Sequence, residues 1–493
     1  MRADGFLLAI DQGTTSTRAI AYDRTLSAVA HAAVPIETRH PQPDWAEQDP
    51  LEILGSVVET VARVLEAIGG RERVVAVGLD NQGESVVAWD AETLAPLSPV
   101  VVWHCRRSLP IVERLRAAGA EPEIRARTGL PLDPYYSAGK IRWLLEHVEP
   151  VAAAARRGTL RVGTVDAWLT ARLDGGRART DPSTASRTQL YSLQDLDWDP
   201  VLAARFGVPP EALPTLVPTA GELGFVAHPR WGGPLPLRAL ACDQQAALAG
   251  HGGFEPGALK ATYGTGVFVL GNAGDRRTAD PSLETSVGWR LADGTLATIL
   301  QGGVFTAGAF VDWLRDDLRL VDDPDETEHL ARAVPDTGGV EVLPALAGLG
   351  PPWWRPDARA VVRGLSAGTG RAHVVRAALD GLAHLVADLV ETMIPALGTE
   401  PERLRVDGGL TANGYLVARQ ADLLGLPVEV AAAEESTALG IAGLAGIGAG
   451  LLDAEAIRRA NPARARFEPS LPAAERQRAR AAWRRFVESV LRT

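Results

Sequence analysis

Phe6-Leu7-Leu8-Ala9-Ile10-Asp11-Gln12-Gly13-Thr14-Thr15-Ser16-Thr17-Arg18-Ala19-Ile20-Ala21-Tyr22 is the stretch that decides the fold. Phe6 to Ile10 reads as a buried strand, Asp11 to Ser16 as a polar turn, and Arg18 to Tyr22 as a returning strand with alternating apolar residues. That is a β-hairpin, not a strand feeding a helix. Its turn is rich in hydroxyls and contains a glycine, so its backbone N–H groups and side chains can form a nest for phosphate oxygens. Arg18 adds a charged fork, and Asp11 at the strand end can hold Mg²⁺ through water. The same residues also read as a plain hairpin whose hydroxyls face solvent.

The layout recurs in the second half. Lys260-Ala261-Thr262-Tyr263 leads into Gly264-Thr265-Gly266, and Val267 to Leu270 returns as a strand. Two distant strand–turn–strand units predict two related halves, each offering a turn to the same ligand. Gly250, Gly252, Gly253, Pro256 and Gly257 crowd the expected join, and the expected domains are 1–248 and 249–493. A further strand is predicted over Val74 to Leu79, stopping at Asp80-Asn81-Gln82-Gly83-Glu84. Helical patterns fall at Leu51–Ile68, Ile111–Ala118 and Ile141–His147. No short-period repeat is present, which disfavours solenoids and propellers.

Composition narrows the function. The 493 residues predict two or three domains, and 46% apolar with 23% charged residues is ordinary for a globular chain. Lys and Arg number 50 against 61 carboxylates, a formal net charge of −11 that argues against nonspecific nucleic-acid or anionic-membrane binding. The two cysteines, Cys105 and Cys242, fit no metal-ligand spacing and no disulfide framework. The apolar run at Phe6–Ile10 is too short for a signal-peptide core. Ala438 to Leu452 is Gly-rich and falls short of the ~18–20 residues that span a bilayer, so it reads as a tightly packed core helix. A cytoplasmic protein is expected. Neither lysine lies in a GxxxxGK[ST] loop, the protein-kinase motif set is missing, and neither HExxH nor GxSxG occurs.

Longer stretches carry a resemblance. Tyr135-Tyr136-Ser137-Ala138-Gly139-Lys140-Ile141-Arg142-Trp143-Leu144-Leu145-Glu146-His147 and Ala360-Val361-Val362-Arg363-Gly364-Leu365, continuing to His373 and Asp380, fit the two signatures of the FGGY carbohydrate kinases. Asp11–Thr15, Val102–Arg107, Gly163–Asp166, Ala185–Thr188, Asp243–Ala247 and Val406–Gly409 are similar to the glycerol kinase branch of that family. The resemblance implies an α/β, actin-like (ribonuclease H-like) two-lobe fold with the active site in the interlobe cleft, using ATP and Mg²⁺. It places the phosphates on Thr14, Thr15, Ser16, Arg18 and Thr265, and the adenosine against Gly409 and Asn413, with Gly308 on the same wall. Asp312 stands where the family often has glutamine. The polyol pocket it implies comprises Glu84, Tyr135, Asp243 and Gln244 for the hydroxyls, with Trp103 and Phe268 packing the carbon edge.

Asp243 is the expected base. Phosphoryl transfer rests on positioning and electrostatics, with a carboxylate to orient the alcohol and accept its proton. Asp243 follows the apolar strand Leu235 to Ala241, and the helical pattern after it suits a cap as well. One departure concerns Asn81-Gln82-Gly83-Glu84, where the glycerol kinase branch carries arginine instead of Gly83. Glycine supplies neither donors nor volume; phosphorylation of glycerol to glycerol 3-phosphate is the first expectation, and the alternative is that the vacated space admits a longer polyol such as erythritol, threitol or xylitol, or the ketopentose xylulose. A third expectation, from another class, is a nucleotide-dependent actin-like protein without catalysis. Homodimers or homotetramers fit the family.

Overall fold

The computed structural model describes residues 5–277 and 280–492. Contacts divide the chain into two units, one of Met1–Phe254, Asp275–Ile299 and Glu435–Asn461, the other of Glu255–Gly274, Leu300–Glu434 and Pro462–Thr493. No helix among the described residues is long and apolar enough to cross a membrane.

In the first unit the hairpin forms as read. Phe6–Gln12 pairs antiparallel with Ser16–Tyr22, and the Gly13 N–H donates to Ser16 O at 3.1 Å across the turn. The hairpin belongs to a sheet in the order Phe225–His228, Gly233–Cys242, Val74–Asn81, Phe6–Gln12, Ser16–Tyr22, Ala28–Pro35. Its three central strands, Gly233–Cys242, Val74–Asn81 and Phe6–Gln12, run parallel. Register sets Asp11 beside Asp80, Asp80 beside Ala241, and Asn81 beside Cys242. Polar residues at the carboxyl ends of these strands are thereby gathered at one edge of an apolar sheet, the usual ligand position in α/β sheets.

Helix Pro50–Ile68 covers the sheet. Asp49 caps it by accepting from the Leu51 N–H, and Gly69 ends it at φ 84°. Its buried Ile53, Val57, Val61, Val64 and Ile68 recur at helical spacing and join Leu8, Ile10, Val77 and Leu79 in one core. Helix Ser436–Gly448 replaces the expected Ala438–Leu452 and is buried nearly throughout. Its glycines are packing residues. A Cβ on Gly440 would stand well inside 3.0 Å of Ala246 O, on helix Asp243–Gly250, and one on Gly78 would strike Ile441 O. The two helices and the strand touch backbone to backbone, which only glycine allows.

The second unit repeats the motif. Leu259–Tyr263 pairs antiparallel with Val267–Asn272 and parallel with Leu404–Asp407, which lies parallel to Val428–Ala431. Ala463–Phe467 adds an antiparallel edge. Helix Arg371–Leu397 supplies much of the core, including Val375, Leu382, Val386 and Leu389. Gly408 links strand to helix at φ 92°, and a Cβ on it would lie well inside 3.0 Å of the Tyr263 carbonyl oxygen.

Candidate active site

The parallel strand ends hold two facing carboxyls, Asp11 and Asp80. Asp80 is wholly buried, no N–H or hydroxyl reaches either of its oxygens, and the group it faces is Asp11. Burial pushes Asp80 well above the usual carboxylate range, and the charges of Asp11 and Asp243 add to the effect. Burial raises Asp11 too, offset by Arg18, whose guanidinium lies 3.5 Å from Asp11 and 3.5 Å from Glu435. An all-oxygen, anionic pair of this kind fits a hard divalent cation. Among the described residues no group of three or more His, Cys, Asp or Glu is placed to hold a metal. A magnesium ion here would therefore take one or two carboxylates and complete its shell from phosphate oxygens and water.

The hairpin turn is tied to the neighbouring turn by amides. Gln82 Nε2 donates to Gln12 Oε1 (3.2 Å) and Gln48 Oε1 (2.9 Å), and Gln48 Nε2 donates to Thr14 O (2.6 Å). Trp103 Nε1 donates to Thr14 Oγ1 at 2.9 Å. Thr15 is exposed and Ser16 partly so, which leaves their hydroxyls within reach of a ligand.

Next to these lies a polar pocket wall. Arg187, wholly buried, donates from Nε to Glu84 Oε1 (2.7 Å) and from Nη2 to Glu284 Oε2 (3.0 Å). Its guanidinium carbon lies 5.9 Å from the Tyr135 ring centre and 5.3 Å from that of Tyr136. Tyr135 meets Trp103 edge-on at 5.5 Å. Lys140 Nζ donates to the Tyr135 and Tyr136 carbonyls, fastening that turn, and burial holds its ammonium down to about 7. Asp243 is half-buried, and desolvation, with the charge of Glu84 second, pushes its carboxyl up to about 6.

Two expectations need correction here. Asp243 does not cap its helix: Cys242, at φ −73° and ψ 146°, is the cap residue, and Asp243 is already helical, with Oδ1 accepting the Gln244 N–H at 2.7 Å. Nor does Gly83 leave a vacancy for a longer polyol. A Cβ there would lie well inside 3.0 Å of Cys242 Sγ, so the space is filled by sulfur.

The second unit holds a cavity of about 440 Å³ lined by Tyr263, Gly264, Thr265, Gly308, Asp312, Thr327, Glu328, Gly409 and Asn413, among others. Helix Gly308–Asp316 starts against the Gly264-Thr265-Gly266 turn, where the Gly308 N–H donates to Gly264 O at 3.0 Å. A Cβ on Gly308 would come within 2.7 Å of that oxygen. A Cβ on Gly409, in contrast, would meet nothing within 4 Å, so protein packing does not demand glycine there and a flat ligand face can approach the backbone. Asn413 lines the wall, but its amide is already engaged. Oδ1 caps helix Gly414–Leu424 through the Leu416 N–H, and Nδ2 donates to Thr327 Oγ1 at 3.0 Å. Asp312 is exposed and ion-paired with Arg315 at 3.1 Å.

The first unit thus brings together Asp11, Thr14, Arg18, Glu84, Trp103, Tyr135 and Asp243, with Gly83 and Gln244 adjacent in sequence. The second gathers Thr265, Gly308, Asp312, Gly409 and Asn413. Phe268 lies on strand Val267–Asn272, half-buried near Gly303, and does not line the 440 Å³ cavity. Sequence reasoning missed Asp80, Arg187, Cys242, Glu284, Thr327 and Glu328. Asp80 had a usable signal, an acidic residue ending an apolar strand. Arg187 lay in the family-like stretch Ala185–Thr188, but neither its pairing nor Glu284 had a local signal, since Glu84 and Glu284 are 103 and 97 positions away from Arg187 along the chain.

Residues 6–250 match the N-terminal domain of the FGGY family of carbohydrate kinases, and residues 259–449 match its C-terminal domain. A glycerol kinase of Symbiobacterium thermophilum is 44% identical over 488 residues, 98% of each chain. Glycerol kinase 2 of Thermotoga maritima is 41% identical over 490 residues, 99% of each. Among solved structures, a Plasmodium falciparum glycerol kinase with ADP superposes with a TM-score of 0.94 at 30% identity, covering 99% of this chain and 98% of that one. A Lactobacillus acidophilus xylulose kinase, at TM-score 0.88 and 21% identity, shares the fold. The two α/β units are those of the actin-like kinase fold, and the chain belongs to the FGGY family of carbohydrate kinases.

Proposed function

We propose that this chain transfers the γ-phosphoryl group of ATP to glycerol, giving glycerol 3-phosphate and ADP. The observation that carries the reading is the place of Asp243, the first helical residue after the parallel strand Gly233–Cys242, where burial and then the charge of Glu84 push its carboxyl up to about 6. The wall around Glu84 offers Arg187, Tyr135 and Trp103 to a small polyol. In the reaction the alcohol oxygen attacks the γ-phosphorus, the bond to the β–γ bridging oxygen breaks, and Asp243 accepts the hydroxyl proton. Glu84, Arg187 and the Tyr135 hydroxyl hold the other oxygens, and the indole of Trp103 packs the carbon chain. Thr14, Thr15, Ser16 and Thr265 present hydroxyls and backbone N–H groups to the phosphates. The adenosine rests on Gly409 and the wall that Asn413 and Thr327 share. Asp11 and Asp80 would hold Mg²⁺, which neutralises phosphate charge when bound.

Coupled ADP release with Mg-ATP against glycerol, erythritol, threitol, xylitol and xylulose tests the assignment, and glycerol is expected to give the highest kcat/KM. A clear win for a longer polyol overturns the substrate. The absence of any stimulated turnover overturns the activity. The pH profile has a definite sign. Asp243 must be unprotonated to accept a proton, so kcat/KM for glycerol falls on acidification through about 6 and is flat above it. A profile without that limb between about pH 5 and about pH 8 would remove Asp243 from the role of base.

A further inference from the structure

Gly83 is not required by its backbone. Its φ lies outside the left-handed region, and a Cβ built on it would meet three atoms within 4 Å: Cys242 Sγ well inside 3.0 Å, Cys242 Cβ at 3.8 Å and Arg187 Cγ at 3.9 Å. The last two are ordinary van der Waals neighbours. The sulfur is the one of these atoms that obstructs a Cβ at position 83. That sulfur is buried, its thiol donates to Asp243 Oδ1 at 3.3 Å, and the Cys242 N–H donates to Ser183 Oγ at 2.9 Å, so strand and helix both hold it in place. Burial, then the charges of Asp243 and Glu84, raises the thiol's pKa well above its usual range, which keeps it a compact, uncharged filler.

We propose that Cys242 is the residue that sets substrate length in this enzyme: its Sγ occupies the volume beside Gly83, between the base Asp243 and the Glu84–Arg187 pair, and so restricts the pocket to a three-carbon polyol. This rests on the kinase reading above. Cys242 touches Asp243 and position 83 at once, so its sulfur lies where the pocket would have to lengthen. Removing one atom opens room for about one more hydroxymethylene carbon. Pockets discriminate such an increment by roughly 10–200-fold.

The test is a four-variant set: wild type, C242A, G83A and G83A/C242A. For C242A the ratio of kcat/KM for erythritol to that for glycerol is expected to rise about tenfold or more. An unchanged ratio overturns the specificity role. The steric claim is read separately from thermal midpoints, without any substrate. G83A alone is expected to lower the midpoint sharply or to be recovered insoluble, and G83A/C242A to regain most of the loss, because Cys242 Cβ is at contact distance and Sγ is gone. Additive midpoint shifts would overturn the claim that sulfur is the obstacle. If wild type phosphorylates no polyol, the kinase reading fails, while the midpoints still decide whether Cys242 and Gly83 form one packed element.

Discussion

Asp243→Asn is expected to lower kcat by ~10³-fold or more while leaving nucleotide affinity nearly unchanged. Asparagine keeps the shape of the side chain and still accepts the Gln244 N–H that Asp243 Oδ1 accepts at 2.7 Å. It cannot take up a proton from an alcohol. The carboxyl it replaces titrates at about 6, close enough to neutrality to be ionised in the resting enzyme and still basic enough to receive a proton as the phosphorus–oxygen bond forms. All the residues lining the 440 Å³ cavity belong to the second unit, so the substitution changes none of the proposed adenosine contacts. Steady-state ADP release and calorimetric titration with nucleotide check the two halves of this expectation. Turnover near that of wild type would show that another group accepts the proton.

Gly440→Ala is expected to be among the most damaging single-methyl additions in the chain. The added Cβ would point at the backbone of helix Asp243–Gly250, inside any real contact with Ala246 O and 2.7 Å from the Gly250 nitrogen. No flexible side chain lies in between to move aside, so the two helices must part. Overpacking of this sort costs ~3 kcal/mol or more, which corresponds to a fall in thermal midpoint of roughly 5 °C or more. Because helix Asp243–Gly250 begins with the proposed base, activity is expected to fall along with stability. Gly55 is the internal control. It lies in the exposed face of helix Pro50–Ile68 with nothing within 4 Å of its virtual Cβ, so Gly55→Ala is expected to raise stability by ~0.5–1 kcal/mol through helix propensity and a less flexible unfolded chain. Differential scanning of both variants separates the cases. Equal effects would contradict the packing account.

Gly440 and Gly55 also show where sequence reading stops. The Gly-rich apolar run around Gly440 reads as a packed core helix and the pattern around Gly55 does not, but no local feature shows which backbone Gly440 meets. Periodicity does locate both hairpins, the strand ending at Asn81 and helix Pro50–Ile68, because those elements are set by which residues within one short window are apolar. The residues proposed for phosphate and polyol were named through the family resemblance and through short polar runs at strand ends, such as Asp11 to Ser16. Asn413 lines the cavity wall, and its engagement as a helix cap and Thr327 partner was not foreseen.

By itself, then, the sequence determined the two strand–turn–strand units and the acidic, non-P-loop character of the chain, and it named Asp243 as the candidate base. All of these reside in contiguous residues or in composition. Only the tertiary structure decided what surrounds that base. The parallel register sets Asp80 against Asp11, a contact between strands about 70 residues apart. Folding carries Arg187 onto Glu84 and Glu284, and it puts the sulfur of Cys242 into the space that a side chain at position 83 would need. Desolvation and steric exclusion depend on which atoms meet in space, and a spacing of 70 to 160 positions along the chain leaves no periodic or compositional trace of such meetings.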